Sequence, residues 1–224
     1  MNARKLAWEV LCRIERAGQY SNLAVDAALQ KHPVEGADRA LFVALVYGVT
    51  EKKLTLDACI DDLARGKAPE PDVRNLLRLG LYQLLYLDKI PDHAAVNETV
   101  AIAPRRIAGY VNAILRSFLR SGKEIPLPDR QTDPVGFLSV SRSVGRELCE
   151  RLIAEYGEEK TEAILRAFGE KPDLCLFVNT LRVGVDELRE ALAAAGYESE
   201  KIGDRGLRVA GNAPVPVLPG FAEA

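Results

Sequence analysis

Arginine is the residue type whose placement here most clearly suggests chemistry. From Thr99 to Lys123 stand Arg105, Arg106, Arg116, Arg120 and Lys123 with no acidic residue, in a chain of 224 residues that balances 30 bases against 32 acids. Guanidinium forks match phosphate oxygens and stack on exposed bases, so such a stretch points to a polyanion. Other chemistries find less support. Cys12, Cys59, Cys149 and Cys175 are scattered without a CxxC pair, and His32 and His93 lack a cysteine or serine partner, so no metal ligand set and no catalytic residue is expected. The first three cysteines lie in helical segments and Cys175 in an apolar strand, where structural thiols are expected. Of the adjacent acids, Asp61 with Asp62 and Glu158 with Glu159, the second pair reads as first-turn acids favoured by the helix dipole. No GxGxxG or Walker-type loop occurs, so no cofactor cradle is expected in this chain.

The arginines need a helix to gather them. From Arg105 onward, Ile107, Tyr110, Val111, Ile114, Leu115 and Phe118 recur at helical spacing, which predicts one buried stripe. Arg105, Asn112, Arg116 and Arg120 then fall within roughly 100° of one another on a different side. Residues 3–120 read almost wholly as helix. Ser21 or Asn22 is expected to cap the second helix, Pro71 to open the central one, Asp92 to cap the next with His93 bonding at its start, and Pro104 to separate it from the helix that begins at Arg105. Asn97 and Asn112, amides near apolar positions, are expected to satisfy backbone groups.

The stretch at residues 121–135, SGKEIPLPDRQTDPV, has three prolines and reads as a linker. Beyond it the pattern predicts helices near 143–156 and 159–168, each closed by a glycine, then a strand at Leu174–Val178 and a helix from Asp186 to Ala195. Strands follow around Glu198–Ile202 and Leu207–Ala210, with an edge strand at Val215–Leu218 limited by Pro216. The fold class is therefore mainly α: an all-α helical bundle followed by a small α/β domain, divided as residues 1–122, a linker at 123–136, and residues 137–224. Composition agrees, with 48% hydrophobic residues and no long uncharged apolar run, so a cytoplasmic protein with no membrane role is expected. Residues 1–125 hold 18 bases against 15 acids, and residues 126–224 hold 12 against 17, so the first part should lead any nucleic-acid contact.

The same residues carry a family resemblance. IPDHAAVNETV followed by GYVNAILR resembles the terminal helix pair of the NusB-like RNA-binding domain, and VRNLLRLGLYQLLYL resembles its central helix. ARKLAWEVLCRIERAGQYSNLAVDAAL and DRALFVALVYGVTEKKLTLDACIDDL are similar to its opening helices as they occur in the RsmB/Sun ribosomal RNA cytosine-C5 methyltransferases. RLIAEYGEEKTEAILRAFGEKPDLCLFVNTLR, DELREALAAAGYE and VLPGFAEA look like the region that joins that domain to the catalytic one. Phe177 stands where the family usually has a basic residue.

The resemblance implies a role for the N-terminal basic end in RNA contact, carried here to Arg4 and Lys5. Together with Arg105, Arg106, Arg116 and Arg120 these form the expected RNA-binding set. The expected partners are ribosomal RNA and a C-terminal methyltransferase domain absent from this chain, and S-adenosylmethionine is expected in that domain. The alternative function is a stand-alone NusB-like antitermination module holding RNA and a protein. A third reading, protein docking or dimerisation without RNA, keeps the fold and drops the basic face.

Overall fold

The computed structural model describes residues 2–170, 172–211 and 215–221. It divides into two compact units, Met1–Phe168 and Gly169–Ala224.

Unit 1 is a helical bundle. Helix α1 (Ala3–Ala17) starts where the Asn2 side chain accepts hydrogen bonds from the Arg4 and Lys5 amides, and it ends at Gly18, whose φ of 60° suits a residue without Cβ. Its buried face repeats at helical spacing through Ala3, Leu6, Ala7, Val10 and Leu11. Helices α2 (Ser21–Lys31), α3 (Gly36–Glu51) and α4 (Lys53–Leu63) follow. Ser21 is the first helical residue of α2 and Tyr20 occupies its cap position without a side-chain bond, so the cap expected at Ser21 or Asn22 is not formed.

Helix α5 (Pro71–Tyr86) opens on its proline as expected and is buried on nearly every side, because α1, α3, α4, α6 and α7 all pack on it. Helix α6 (Asp92–Ile102) takes Pro91 as its cap residue. Asp92 is instead its first residue and accepts a hydrogen bond from Lys123 Nζ at 2.6 Å, while the exposed His93 has no side-chain hydrogen bond among the described residues. Helix α7 (Arg105–Arg120) begins after Pro104, as the sequence predicts, and buries Val111, Ile114, Leu115 and Phe118. Gly80 on α5 makes room for it: a Cβ there would lie 2.7 Å from Leu115 Cδ1.

By packing, the chain groups as residues up to Phe168 and from Gly169 onward, whereas the sequence reading places a linker at residues 123–136. Part of the presumed linker folds as helix α8 (Pro134–Arg142), capped by Asp133, whose side chain accepts from the Gly136 amide. Helix α8 docks on α4, where the Thr55 hydroxyl donates to the Val140 carbonyl at 2.5 Å and the Leu54 amide donates to Ser143 Oγ at 3.1 Å. Helices α9 (Arg146–Tyr156) and α10 (Glu158–Phe168) close a small core of Leu138, Cys149 and Leu165. Gly157 ends α9 with φ 78°, as expected of a glycine stop.

Unit 2 holds strands β1 (Leu174–Phe177), β2 (Ser199–Ile202) and β3 (Gly206–Val209), with helix α11 (Val185–Ala194) between the first two. The sheet order is β1-β3-β2 and both pairings are antiparallel, so β3 is inserted between two strands that run parallel to one another. Leu188 and Leu192 of α11 close the core over Val178, Leu207 and Val209. The strand expected at Val215–Leu218 is corrected to a 3-10 turn at Val215–Val217, which seats Leu218 in the same core. Period-two alternation turns Leu174 and Leu176 inward and leaves Cys175 exposed, so Cys175 is not the buried thiol its apolar neighbours suggest.

Candidate nucleic-acid interface

Helix α7 carries the densest set of free cations. Its exposed face presents Arg105, Gly109, Ala113, Arg116 and Arg120 over about 22 Å of helix. The small residues Gly109 and Ala113 leave the guanidinium groups unobstructed. Arg116 is steadied by its own helix, donating from Nε to Asn112 Oδ1 at 2.9 Å. Neither Arg105, Arg116 nor Arg120 has an ion-pair partner among the described residues. Arg106 lies 3.9 Å from Glu70 with both side chains more than 70% exposed, a contact water largely screens. The first turn of α7 holds no acid and two arginines, against the preference of a helix dipole for negative charge at that end. Cations added to a positive helix end raise the local attraction for anions at some cost to the helix, the kind of local conflict that accompanies function.

Lys123 belongs to the same acid-free stretch of sequence but not to the displayed face. Its ammonium group donates to Asp92 at 2.6 Å and to the Leu84 carbonyl at 3.3 Å, tying the end of α7 back onto the bundle.

At the start of α1, Lys5 is exposed and Arg4 is half-buried. Arg4 Nε donates to Gln83 Oε1 at 2.7 Å, and the buried Gln83 in turn donates to Thr99 Oγ1 and the Leu79 carbonyl, both at 3.0 Å. Arg4 therefore joins α1 to α5 and α6 as well as carrying charge. Helices α1 and α7 do not pack on one another; α5 and α6 lie between them. The six expected residues thus form two patches on one bundle.

The titratable groups outside these patches look structural. Burial pushes the Cys12 and Cys59 thiols up to about 12, and burial also raises Cys149, the reverse of what activates a thiol. Asp61 accepts from Arg74 at 2.5 Å, which gives one member of the adjacent acid pair a structural partner. Asn97 is exposed, and the polar group buried in α6 is Thr99, whose hydroxyl donates to the Ala95 carbonyl at 2.7 Å. In unit 2 the β1-to-α11 connection has one glycine, Gly184, in extended backbone at φ −70°, with its amide donating to Glu187 Oε2 at 3.4 Å. A Cβ at Gly184 would meet nothing nearer than 3.8 Å, so that position does not demand close approach by a ligand.

Arg74 and Arg78 are a second arginine set that residue-by-residue reading passes over. Arg78 is 3% exposed and grips both Asp57 oxygens at 2.7 Å, with Glu15 at 2.6 Å and Asn75 at 2.7 Å. The available signal was the matching four-residue spacing of Asp57 with Asp61 and of Arg74 with Arg78.

Comparison with known proteins matches two families, one on either side of residues 121–146. Residues 1–120 match the family model described as the NusB family, and residues 147–216 match the RsmF/B-like methyltransferase ferredoxin-like domain. A protein named probable ribosomal RNA small subunit methyltransferase B from Synechocystis sp. is 36% identical, with the match covering 100% of this chain and 52% of that protein. A protein of the same name from Bacillus subtilis is 37% identical over 89% of this chain and 45% of its own length. The chain thus spans about half the length of the curated relatives it matches. Among solved structures, one described as PH0851 shares the fold with a TM-score of 0.63 and 20% identity, covering 100% of this chain and 52% of the other. With the helical bundle first and the small antiparallel sheet second, the chain belongs to the NusB family, in the form taken by the N-terminal region of the RsmB/Sun proteins.

Proposed function

We propose that this chain binds ribosomal RNA and positions it for an S-adenosylmethionine-dependent cytosine-C5 methyltransferase whose reacting groups lie outside these 224 residues. The observation that carries the reading is the exposed face of α7, where Arg105, Arg116 and Arg120 stand without acidic partners among the described residues. The names of the relatives supply the substrate class. Placing catalysis elsewhere is supported by the three thiols that burial raises and by the single-glycine β1-to-α11 connection, which lacks the glycine-rich turn of a cofactor cradle. Unit 2 favours this reading over a stand-alone antitermination module, which has no need of a second folded unit. The working compartment is the cytoplasm, where ribosomal RNA is found.

The test is filter binding to fragments of small-subunit ribosomal RNA across a salt series. If Arg4, Lys5, Arg105, Arg106, Arg116 and Arg120 each engage one phosphate of a single strand, log K falls against log salt with a slope of about −4, roughly −0.7 per contact. The same mixture with a labelled methyl donor should transfer no methyl group. Absence of salt-dependent binding would end the proposal, and methylation by this chain alone would end its division of labour.

A further inference from the structure

Beside the arginine face lies a recess of about 390 Å³ between the α4–α5 connection and the first two turns of α7. Pro69, Val73 and Ile107 line it, and Lys67, Arg106 and Tyr110 complete it. Val73 is only 6% exposed and belongs to the bundle core, so this part of the wall is fixed by packing. Tyr110 is 40% exposed, large for an aromatic ring on a helix that buries Val111, Ile114, Leu115 and Phe118 of the same apolar stripe. On the helical wheel Tyr110 sits about 40° beyond Arg106, at the edge of the arginine arc.

We propose that this recess takes one unstacked base of single-stranded RNA, with Tyr110 as the stacking surface and Lys67 and Arg106 engaging the flanking phosphates. The proposal rests on the RNA-binding reading of α7 and adds what that reading lacks, a means of preferring single strands to duplex. A row of arginines recognises phosphates in either form, whereas an aromatic ring beside a cationic row requires a base free to leave its stack. An apolar wall with cations at its rim also fits a base attached to a phosphate better than a purely apolar segment. The one acid at the rim, Glu70, lies 3.9 Å from Arg106 with its side chain 73% exposed. A contact so open to solvent can yield to an incoming phosphate.

The experiment uses the full chain, a short fluorescein-labelled single-stranded RNA, and the duplex of the same sequence, titrated by anisotropy. Tyr110→Leu keeps an apolar side chain for packing and removes the ring; Tyr110→Phe keeps the ring. Tyr110→Leu should bind the single strand about ten-fold more weakly, with the duplex unaffected and the salt slope unchanged. Tyr110→Phe should match the original chain. Lys67→Gln should instead reduce the slope by about 0.7, the loss of one phosphate contact. Replacing successive bases with abasic sites should find one position that costs the original chain the same factor and costs Tyr110→Leu nothing further.

A Tyr110→Leu chain that binds the single strand normally overturns the proposal, as does one that loses single strand and duplex equally. In the first case a simultaneous loss on Arg116→Glu leaves the α7 reading standing. If the unaltered chain binds neither RNA, both fail.

Discussion

Arg74 and Arg78 on α5 and Arg116 and Arg120 on α7 repeat one spacing, two arginines four residues apart, inside one helical unit. The α5 pair is enclosed by Asp57, Asp61 and Glu15 from neighbouring helices, while the α7 pair faces solvent with only Asn112 at hand. A guanidinium group is expensive to bury unless its donors are matched, and α5 meets that requirement by facing acids on α1 and α4. Helix α7 has no acid of its own and its outer side is not covered by another helix of the unit. The same chemical group is therefore scaffold in one place and available for a ligand in the other. The arrangement of carboxylates, rather than the arginine count, separates the two.

The difference can be broken from the scaffold side first. Arg78→Ala leaves Asp57 and Glu15 without their main partner, and loss of one member of a buried ion network costs about 3–5 kcal/mol. Urea unfolding should show that loss, while RNA affinity per folded molecule stays unchanged. An Arg78→Ala chain as stable as the original would mean that the α5 cluster does not hold the bundle together.

The ligand side should answer in the opposite sense. Arg116→Glu with Arg120→Glu should lower RNA affinity by about ten-fold or more at low salt and make the salt slope shallower by roughly 0.7 for each phosphate contact removed. Unfolding free energy should move by no more than about 0.5 kcal/mol, as for other surface changes. Lys123→Gln should leave the slope as it was, because Lys123 is already engaged by Asp92. A slope unchanged in the double variant would remove the distinction between the two arginine pairs.

The smallest effect is acid sensitivity of the scaffold. Burial raises the pKa of Glu15, but the hydrogen bond and charge of Arg78, aided by Lys53, outweigh it and hold Glu15 below its ordinary 4.5. A carboxyl whose folded pKa is depressed contributes stability that is present above its unfolded value and is lost as pH falls through the folded one. Thermal melts should therefore show a contribution that is constant above pH 4.5 and declines below it. Glu15→Gln should flatten part of that decline, whereas the α7 arginine variants should not alter it.

Much of the fold was legible because its signals are local. Pro71 and Pro104 place helix starts through fixed φ and a missing amide proton, Gly157 places a stop through its positive φ, and the apolar stripe of α7 follows from a period of 3.6 residues. The arginine face of α7 was legible for the same reason, since its members share one helix. The docking of α8 onto the first helices was not. Residues 121–135 look like a linker by composition, and the docking of α8 depends on Thr55 reaching Val140 across 85 residues of chain. Nor was the recess beside Tyr110, which joins α7 to a connection some 40 residues earlier.

The amino-acid order alone determined where most of the helices and the strands β1, β2 and β3 fall, and that a row of positive charge stands on one helix, because backbone preference and side-chain periodicity act over a few residues. Tertiary structure decided which charges remain free. It buried Arg78 against Asp57, tied Lys123 to Asp92 and turned Arg4 toward Gln83, while leaving Arg105, Arg116 and Arg120 in water. That selection depends on desolvation and on partners brought from distant parts of the chain, and neither is encoded in local spacing.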